Sequence, residues 1–447
     1  MASTYLTRTP SSTGNQSTYT FSAWVKRSNI SSFQGMISAF YDATGNRYAY
    51  FQFNDDDTIT FFAGNYSTST TTQSANKQTL KKFRDIGAFY HLVLAVDTTQ
   101  GSAADRVKLY VNGVQETWDS GYTYNLDPSQ NDIHFFNITT TAMQLGANNA
   151  GSYFDGSMAH VHWVDGTQYA ASTFGETDST TGIWKPKSSP SVTYGTNGFF
   201  MKFENSGSMG TDSSGNTNNL TVNGTPTQTV DTPSNNFATM NLLYPMSDRT
   251  LSNGNTTLAG GSATNWTPVY STLGVSQGKW YFESKYVSGT YMLVGASYNP
   301  IITAATSSHI AGNAEGYGYW NDNGNKYNNN SGSAYGDSYT TGDIVGVALD
   351  LDNNYIYFSK NGVWQNSGDP TSGSSGTGAA YSVTSGQTYF LGTSTKNGTS
   401  NINYGNGYFG TTAVASAGTN AGGIGTFEYD VPSGYYALCT KNINTYG

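Results

Sequence analysis

A chain of 447 residues has room for two or three domains, and 14% aromatic residues separate it from disordered chains, which are charge-rich and aromatic-poor. A net charge of −9 argues against a nucleic-acid partner, which requires a basic face. The single cysteine, Cys439, excludes an intramolecular disulfide framework, and no stretch approaches the ~18 consecutive apolar residues of a membrane helix.

Charged residues make up only 11% of the chain, so the solvent-facing positions fall to Ser, Thr, Asn and the 34 tyrosines. Such a surface suits sugar contact or a packed assembly. The first residues, "MASTYLTRTP", lack an apolar signal core, and no Sec export is expected. Cys439 is expected as a small core residue near a terminal strand.

Strand signals begin at 19–28, where Phe21, Ala23 and Val25 alternate with Ser22, Trp24 and Lys26. Residues 48–64 read as a hairpin with an acidic turn at Asp55-Asp56-Asp57. The segment 77–89 is the best helix candidate, with a loop as the alternative. Next, Val107, Leu109 and Val111 share one face, and Asn112-Gly113 supplies the positive φ angles of a two-residue hairpin turn. Further strands are expected at 157–166 and 197–206. From 205 to 261 Gly, Ser, Asn and Thr dominate, which reads as loops, a short strand at 220–222 and a connector. Strands return at 278–287, 291–298, 343–352, 355–362, 388–394 and 399–405. Short strands at this spacing, without intervening helices, indicate an all-β chain of two antiparallel β-sandwich (jelly-roll-like) domains in tandem. The expected boundaries are 1–230, a connector at 231–262, and 263–447.

Two strings, "YHLVLAVDTTQGSAADRVKLYVNGVQ" (90–115) and "GDIVGVALDLDNNYIYFSKNGVWQ" (342–365), look alike, yet the segments around them differ. With "TFSAWVKRS" and "LGANNAGSYFDGSMAHVHWVDG", the first half resembles the laminin-G/pentraxin type of concanavalin A-like domain. The runs "FGETDSTTGIWKPK", "YGTNGFFMKF", "GTDSSGNTNN" and "DTPSNNFATMN" resemble the continuation found in many bacteriophage structural proteins, marine phages included; this covers about 1–258. With "GKWYFESKYV", "GYGYWNDNG", "INYGNGYFG" and "VPSGYYALC", the second half resembles a SPRY domain over about 264–447, apart from a long insertion at 296–316. The paired strings are therefore expected to share hairpin physics rather than a repeat.

Catalytic and metal motifs all have simpler readings. Gly274–Gly278 matches a nucleophile elbow, but a strand rather than a helix follows. Gly405–Gly410 matches a dinucleotide fingerprint without a βαβ unit around it. His160 and His162 place two imidazoles on one strand face without further ligands nearby. Asp55–Asp57 offers carboxylates to calcium but reads more simply as a solubilised hairpin tip, and Asp350–Tyr355 lacks the Gly of a calcium loop. Glu176 and Asp178 lack the third acid expected of a sandwich glycosidase. No catalytic residue, no metal site and no cofactor are expected, with calcium the one open alternative.

The remaining constellation is aromatic. Residues 316–339 hold Tyr319, Trp320, Tyr327 and Tyr335 among Asn and Gly, and these four are the expected ligand-binding residues. The resemblances imply a non-enzymatic phage virion surface protein, a tail fibre or tip or a capsid decoration, that serves host adhesion. Its expected partners are other virion proteins, a host-surface glycan or protein, and further copies of itself, with no nucleic acid and no membrane insertion. No N-terminal anchoring arm is visible, so attachment through a domain face is expected. The alternatives are a secreted bacterial adhesin or carbohydrate-binding protein, and a polysaccharide-degrading enzyme of the concanavalin A-like class.

Overall fold

The computed structural model describes residues 3–42, 47–64, 73–149, 151–244, 248–260, 264–302, 308–419 and 423–447. They form two compact units, Met1–Gln228 and Thr229–Gly447. Both are antiparallel β-sandwiches, and α1 (Thr440–Tyr446) is the sole α-helix among the described residues.

In the first unit, with strands numbered in chain order, one sheet runs β15 (Thr221–Asn223), β1 (Tyr5–Arg8), β10 (Met143–Leu145), β3 (Gln34–Asp42), β4 (Arg47–Phe53), β5 (Ile59–Gly64) and β6 (Gln73–Gln78). The other runs β14 (Phe199–Met201), β11 (Gly156–Asp165), β2 (Thr18–Arg27), β7 (Tyr90–Asp97), β8 (Val107–Val111) and β9 (Val114–Gln115). Alternation drives the packing: Phe21, Ala23 and Val25 of β2 and Val107, Leu109 and Val111 of β8 meet Phe51, Phe53, Ile59 and Phe61 of the facing sheet. Each of the Val, Leu, Ile and Phe side chains among them stabilises the sandwich by about 1.5–3 kcal/mol. The opposite face of β2 is covered as well. Residues 166–197, including the hairpin β12 (Gly175–Thr177) and β13 (Trp184–Pro186), fold back over it, and Trp24 stacks on His91 at 4.6 Å.

The segment 77–89 is not helical. Gln73–Gln78 forms β6, and the loop beyond it carries Phe83 into the core.

The second unit is a thirteen-stranded assembly. Its main path runs β16 (Arg249–Ser252), β17 (Thr257–Gly260), β27 (Tyr389–Asn403), β19 (Lys279–Ser297), β20 (Gly316–Trp320), β21 (Asn325–Asn328) and β22 (Ser331–Ala334). Beside β27 lies β18 (Thr267–Val275), and beside β19 lies β23 (Ile344–Asp350), followed by β24 (Tyr355–Lys360). Short strands β25 (Val363–Trp364) and β26 (Tyr381–Ser382) flank β24, and β30 (Tyr436–Ala437) runs parallel to β19. A separate ladder joins β28 (Tyr408–Phe409) and β29 (Thr412–Ala413).

Two expectations are corrected here. The strands read at 278–287 and 291–298 are one, β19, and those at 388–394 and 399–405 are one, β27. Each passes through both layers, so Trp280 and Phe282 from one end and Met292 and Val294 from the other enclose the same core. The two strands bend together where Gly289 (φ +121°) pairs with Gly398; a Cβ on Gly289 would lie 2.2 Å from the Gly398 Cα. Residues 231–262, expected as a connector, belong to the second unit: Phe237, Ala238 and Met240 are buried, and the β16–β17 hairpin extends the sheet along β27. Their polar composition is that of an edge hairpin with few inward positions.

The two look-alike strings are the same meander on different sheets, β7–β8–β9 and β23–β24–β25. Asn112 (φ 48°) and Gly113 (φ 85°), and Asn361 (φ 49°) and Gly362 (φ 80°), form the left-handed pair of a type I′ turn. Each Asn also pairs with the central strand. Asn112 Oδ1 accepts the His91 amide at 2.8 Å, and Asn361 Oδ1 accepts the Ile344 amide at 2.9 Å.

On the outer face of β19, Glu283 is fully buried and clamps the C-terminal segment. Its carboxylate accepts the amides of Glu428 and Tyr429, both at 2.9 Å, and the Tyr281 hydroxyl at 3.1 Å. Cys439 lies in the same outer cluster, buried beside Phe237 as expected of a core residue.

Candidate ligand-binding surfaces

The four expected ligand residues divide between two faces of the second unit. β20 alternates, so Tyr317 and Tyr319 point into the core while Trp320 points outward. Tyr319 is 0% exposed, its hydroxyl donates to the Asp337 carbonyl, and its ring stacks on Phe358 at 5.5 Å. Tyr335 is 8% exposed and its hydroxyl accepts the Phe358 amide at 3.3 Å. Burial pushes both phenols well above the usual range. Tyr319 and Tyr335 are therefore core residues that a ligand in solvent cannot reach. Their hydroxyls are satisfied internally, which lets tyrosines occupy inward positions.

Trp320 and Tyr327 are half-buried on the outer face, 4.6 Å apart between ring centroids. Around them stand Trp266 at 5.3 Å and Tyr291 at 5.5 Å from Trp320, and His309 at 5.9 Å from Tyr327. His309 Nε2 contacts Asn330 Oδ1 at 2.9 Å, and burial lowers its pKa, so the ring is neutral at pH 7. This nest of five rings joins residues far apart in sequence.

The first unit carries a surface that the sequence reading missed. On the outer face of its seven-stranded sheet, Phe40 of β3, Tyr48 and Tyr50 of β4 and Phe62 of β5 form a ladder of near-parallel rings. Tyr48 stacks on Phe62 at 4.8 Å and 22°, Tyr50 on Phe62 at 5.3 Å and 15°, and Phe40 on Tyr48 at 5.4 Å and 24°. Phe40, Tyr48 and Tyr50 are half-buried, so ring surface remains open to solvent. Along the same face lies a row of amides and hydroxyls: Asn148 donates to Gln52 at 2.8 Å, and Asn54 donates to Thr58 and Thr60 at 2.9 and 2.8 Å. Gln52, Asn54, Thr58 and Thr60 are buried, and Asn148 is the half-buried amide of the row; open aromatic area beside it matches a pyranose, which offers a C–H face to stack and hydroxyls to bond. The alternation in "YAYFQF" was visible in the sequence, but the register that stacks it on Phe40 and Phe62 was not.

The other motifs are placed in structural roles. Asp57 is fully buried, bound to Arg27 at 3.1 Å and Arg84 at 2.8 Å, while Asp56 caps Thr58; the three aspartates do not share one point where calcium would sit. Asp350 binds Lys279 at 2.9 Å and closes the β23–β24 turn. A β-bulge in β11 places His160 at φ +47°, and His162 is buried against Phe200 at 4.0 Å with its Nδ1 on the Tyr194 hydroxyl at 2.8 Å. Among the described residues, no three His, Cys, Asp or Glu side chains gather as a metal-holding group. Lys185 binds Asp178 at 2.8 Å and Glu176 at 3.7 Å, and its hydrogen bond holds the Asp178 carboxyl far below the usual range. Gly274 and Val275 end β18 and residues 276–278 turn into β19, while Gly405–Gly410 contains β28 and leads into β29 rather than a helix.

Comparison with known proteins agrees with the concanavalin A-like and SPRY resemblances. Residues 2–172 match the family model described as the concanavalin A-like lectin/glucanases superfamily, and residues 279–403 match the SPRY domain model. The Ran-binding proteins 9/10 homolog of Drosophila melanogaster is 32% identical over 93 residues, 20% of this chain and 9% of that protein. The ATP-dependent RNA helicase DDX1 of Xenopus laevis is 34% identical over 97 residues, 22% of this chain and 12% of that protein. The chain thus spans about a tenth of the length of the curated relatives it matches. The solved SPRY domain of human HERC1 aligns at 19% identity and a TM-score of 0.28, over 35% of this chain and 92% of that one.

Proposed function

We propose that this chain is a non-enzymatic surface protein of a bacteriophage particle that recognises a host-surface glycan through the first unit. The observation that carries the glycan reading is the stacked ladder of Phe40, Tyr48, Tyr50 and Phe62 beside the half-buried Asn148 amide. The virion setting rests on the resemblance of the 173–258 region to phage structural proteins; other virion proteins and further copies of this chain are its partners there. On this reading Trp320 and Tyr327 present a second surface, directed at protein. That assignment is supported by the Ran-binding names of the relatives matched by the SPRY region.

A glycan array probed with the wild type and with Tyr48→Ala tests the first claim. Binding that Tyr48→Ala abolishes, in a variant that still unfolds cooperatively, is expected; equal binding by both proteins would remove the ladder from the reading. Mass spectrometry of purified particles tests the setting, and absence of the chain from them would overturn it. Prolonged incubation with host polysaccharide is expected to release no new reducing ends. Cleavage that Glu176→Gln eliminates would make the protein an enzyme.

A further inference from the structure

We infer that the first unit holds a second glycan site, specific for an acidic sugar of the hexuronate type, in a cleft built around Arg8; the inference rests on the glycan reading above. The cleft, of about 470 Å³, opens at the β15–β1 edge and is lined by Thr7, Arg8, Ser11, Thr217, Asn219 and Thr221 among others. Its volume is that of a small-ligand pocket, yet no apolar and no acidic side chain lines it. Hydroxyls, amides and one guanidinium are the complement of a polyhydroxylated ring bearing a carboxylate.

Arg8 is the unusual member. Its half-buried guanidinium donates one hydrogen bond, to Asn218 Oδ1, and makes no ion pair among the described residues. Asp212 and Asp165 act on it only through longer-range fields. Asp212 has no free oxygen to offer, because Oδ1 accepts the Phe200 and Ser214 amides and Oδ2 accepts the Ser214 hydroxyl and the Asn218 amide. Those bonds fix the 212–218 loop. Asn218 is fixed further, since its Nδ2 donates to the carbonyls of Thr196 at 2.9 Å and Gly198 at 2.8 Å, leaving Oδ1 aimed at Arg8. The guanidinium is thus held in place by a neutral acceptor, with most of its donors unspent. An arginine without an ion pair, its remaining donors open to a polar cleft, is available to an anion from outside. The planar fork of Arg matches a carboxylate through two parallel bonds, and Thr7, Ser11, Thr217 and Thr221 supply hydroxyl contacts for the ring.

Titration calorimetry of the full chain with glucuronate, glucose, acetate and inorganic phosphate tests this. Glucuronate is expected to bind about tenfold or more tighter than glucose and acetate, and Arg8→Gln to remove that preference while Arg8→Lys keeps part of it. Thr221→Val, at an exposed strand position, is expected to weaken glucuronate severalfold and covers the case in which Arg8→Gln fails to fold. Tyr48→Ala is expected to leave glucuronate binding unchanged. Equal affinity for glucose and glucuronate, or phosphate or acetate binding as tightly as glucuronate, overturns the acidic-sugar site. Loss of glucuronate binding in Tyr48→Ala would move that sugar to the ladder, overturning the cleft but not the glycan reading. Failure of every glycan, neutral or acidic, overturns both.

Discussion

Glu283→Gln isolates the energetic consequence of a buried carboxylate. Glu283 is 0% exposed, and among the described residues no cation pairs with it; three donors, the Glu428 and Tyr429 amides and the Tyr281 hydroxyl, converge on it. Burial outweighs those donors and pushes the carboxyl from 4.5 up to about 7. The folded state therefore binds a proton that the unfolded state has released between pH 4.5 and 7. This contribution to stability is fully present below pH 4.5 and is lost as pH rises through 7. The shift from 4.5 to about 7 corresponds to about 3 kcal/mol. Glutamine cannot titrate, and its NH₂ group faces the same donors as the O–H of the protonated carboxyl, so it mimics the acid form. In urea unfolding from pH 4.5 to 8, the two proteins are expected to be similar at the acid end, with the wild type losing about 3 kcal/mol relative to the glutamine variant toward pH 8. Other carboxylates titrate equally in both proteins and cancel in the difference. A constant difference across the range would refute the reasoning and place the native carboxylate ionised throughout.

Trp320→Ala removes a half-buried ring from a nest of four others, and the second unit is expected to lose about 2–4 kcal/mol in thermal unfolding; a wild-type melting curve would place the indole in solvent. Gly289→Ala drives a Cβ to within 2.4 Å of the Asn397 carbonyl as well as onto Gly398, at an expected cost of about 3 kcal/mol or more. Gly342→Ala is the control, with φ +95° but nothing within 4 Å of its Cβ, and is expected to cost only about 1–2 kcal/mol in the same denaturant titration. Limited proteolysis is expected to cut first within 224–236, around the exposed Val230, and to release two fragments of similar size; a first cut within 249–260 would mean that the β16–β17 hairpin is not held by β27.

Local features were legible in the sequence. The alternation of β2 and β8 identified their core faces, and Asn-Gly identified both type I′ turns before any register was known. What escaped depended on partners distant in the chain. Gly289 reads as a break between two strands; only its pairing with Gly398 turns the break into a bend. Tyr319 and Trp320 are neighbours with equal aromatic character. Which one faces the core is fixed by the pairing of β20 with β19, and the Tyr319 hydroxyl finds its acceptor 18 residues away. The ladder needs three strands in register before four rings become one surface. Residues 231–262 looked like a linker because an edge hairpin needs few apolar positions, and Leu258 alone of β17 is counted in the core.

The pairing of β19 with β27 also dictates the order of events during synthesis. These two strands hold the layers of the second unit together, yet about a hundred residues separate them in sequence. Closing so large a loop precedes any reward from the contacts it brings together, which places such topologies in the slow, millisecond-to-second class. On the ribosome, β19 stays without its principal partner until residue 403 has cleared the exit tunnel, so nearly the whole second unit is exposed before it can close. The first unit has long closures of its own, β2 with β11 and β1 with β15, but all of them can be made once Asn223 has emerged. It folds while the second is still being made, and a nascent chain arrested near residue 350 would carry one finished sandwich and one open, aggregation-prone set of strands.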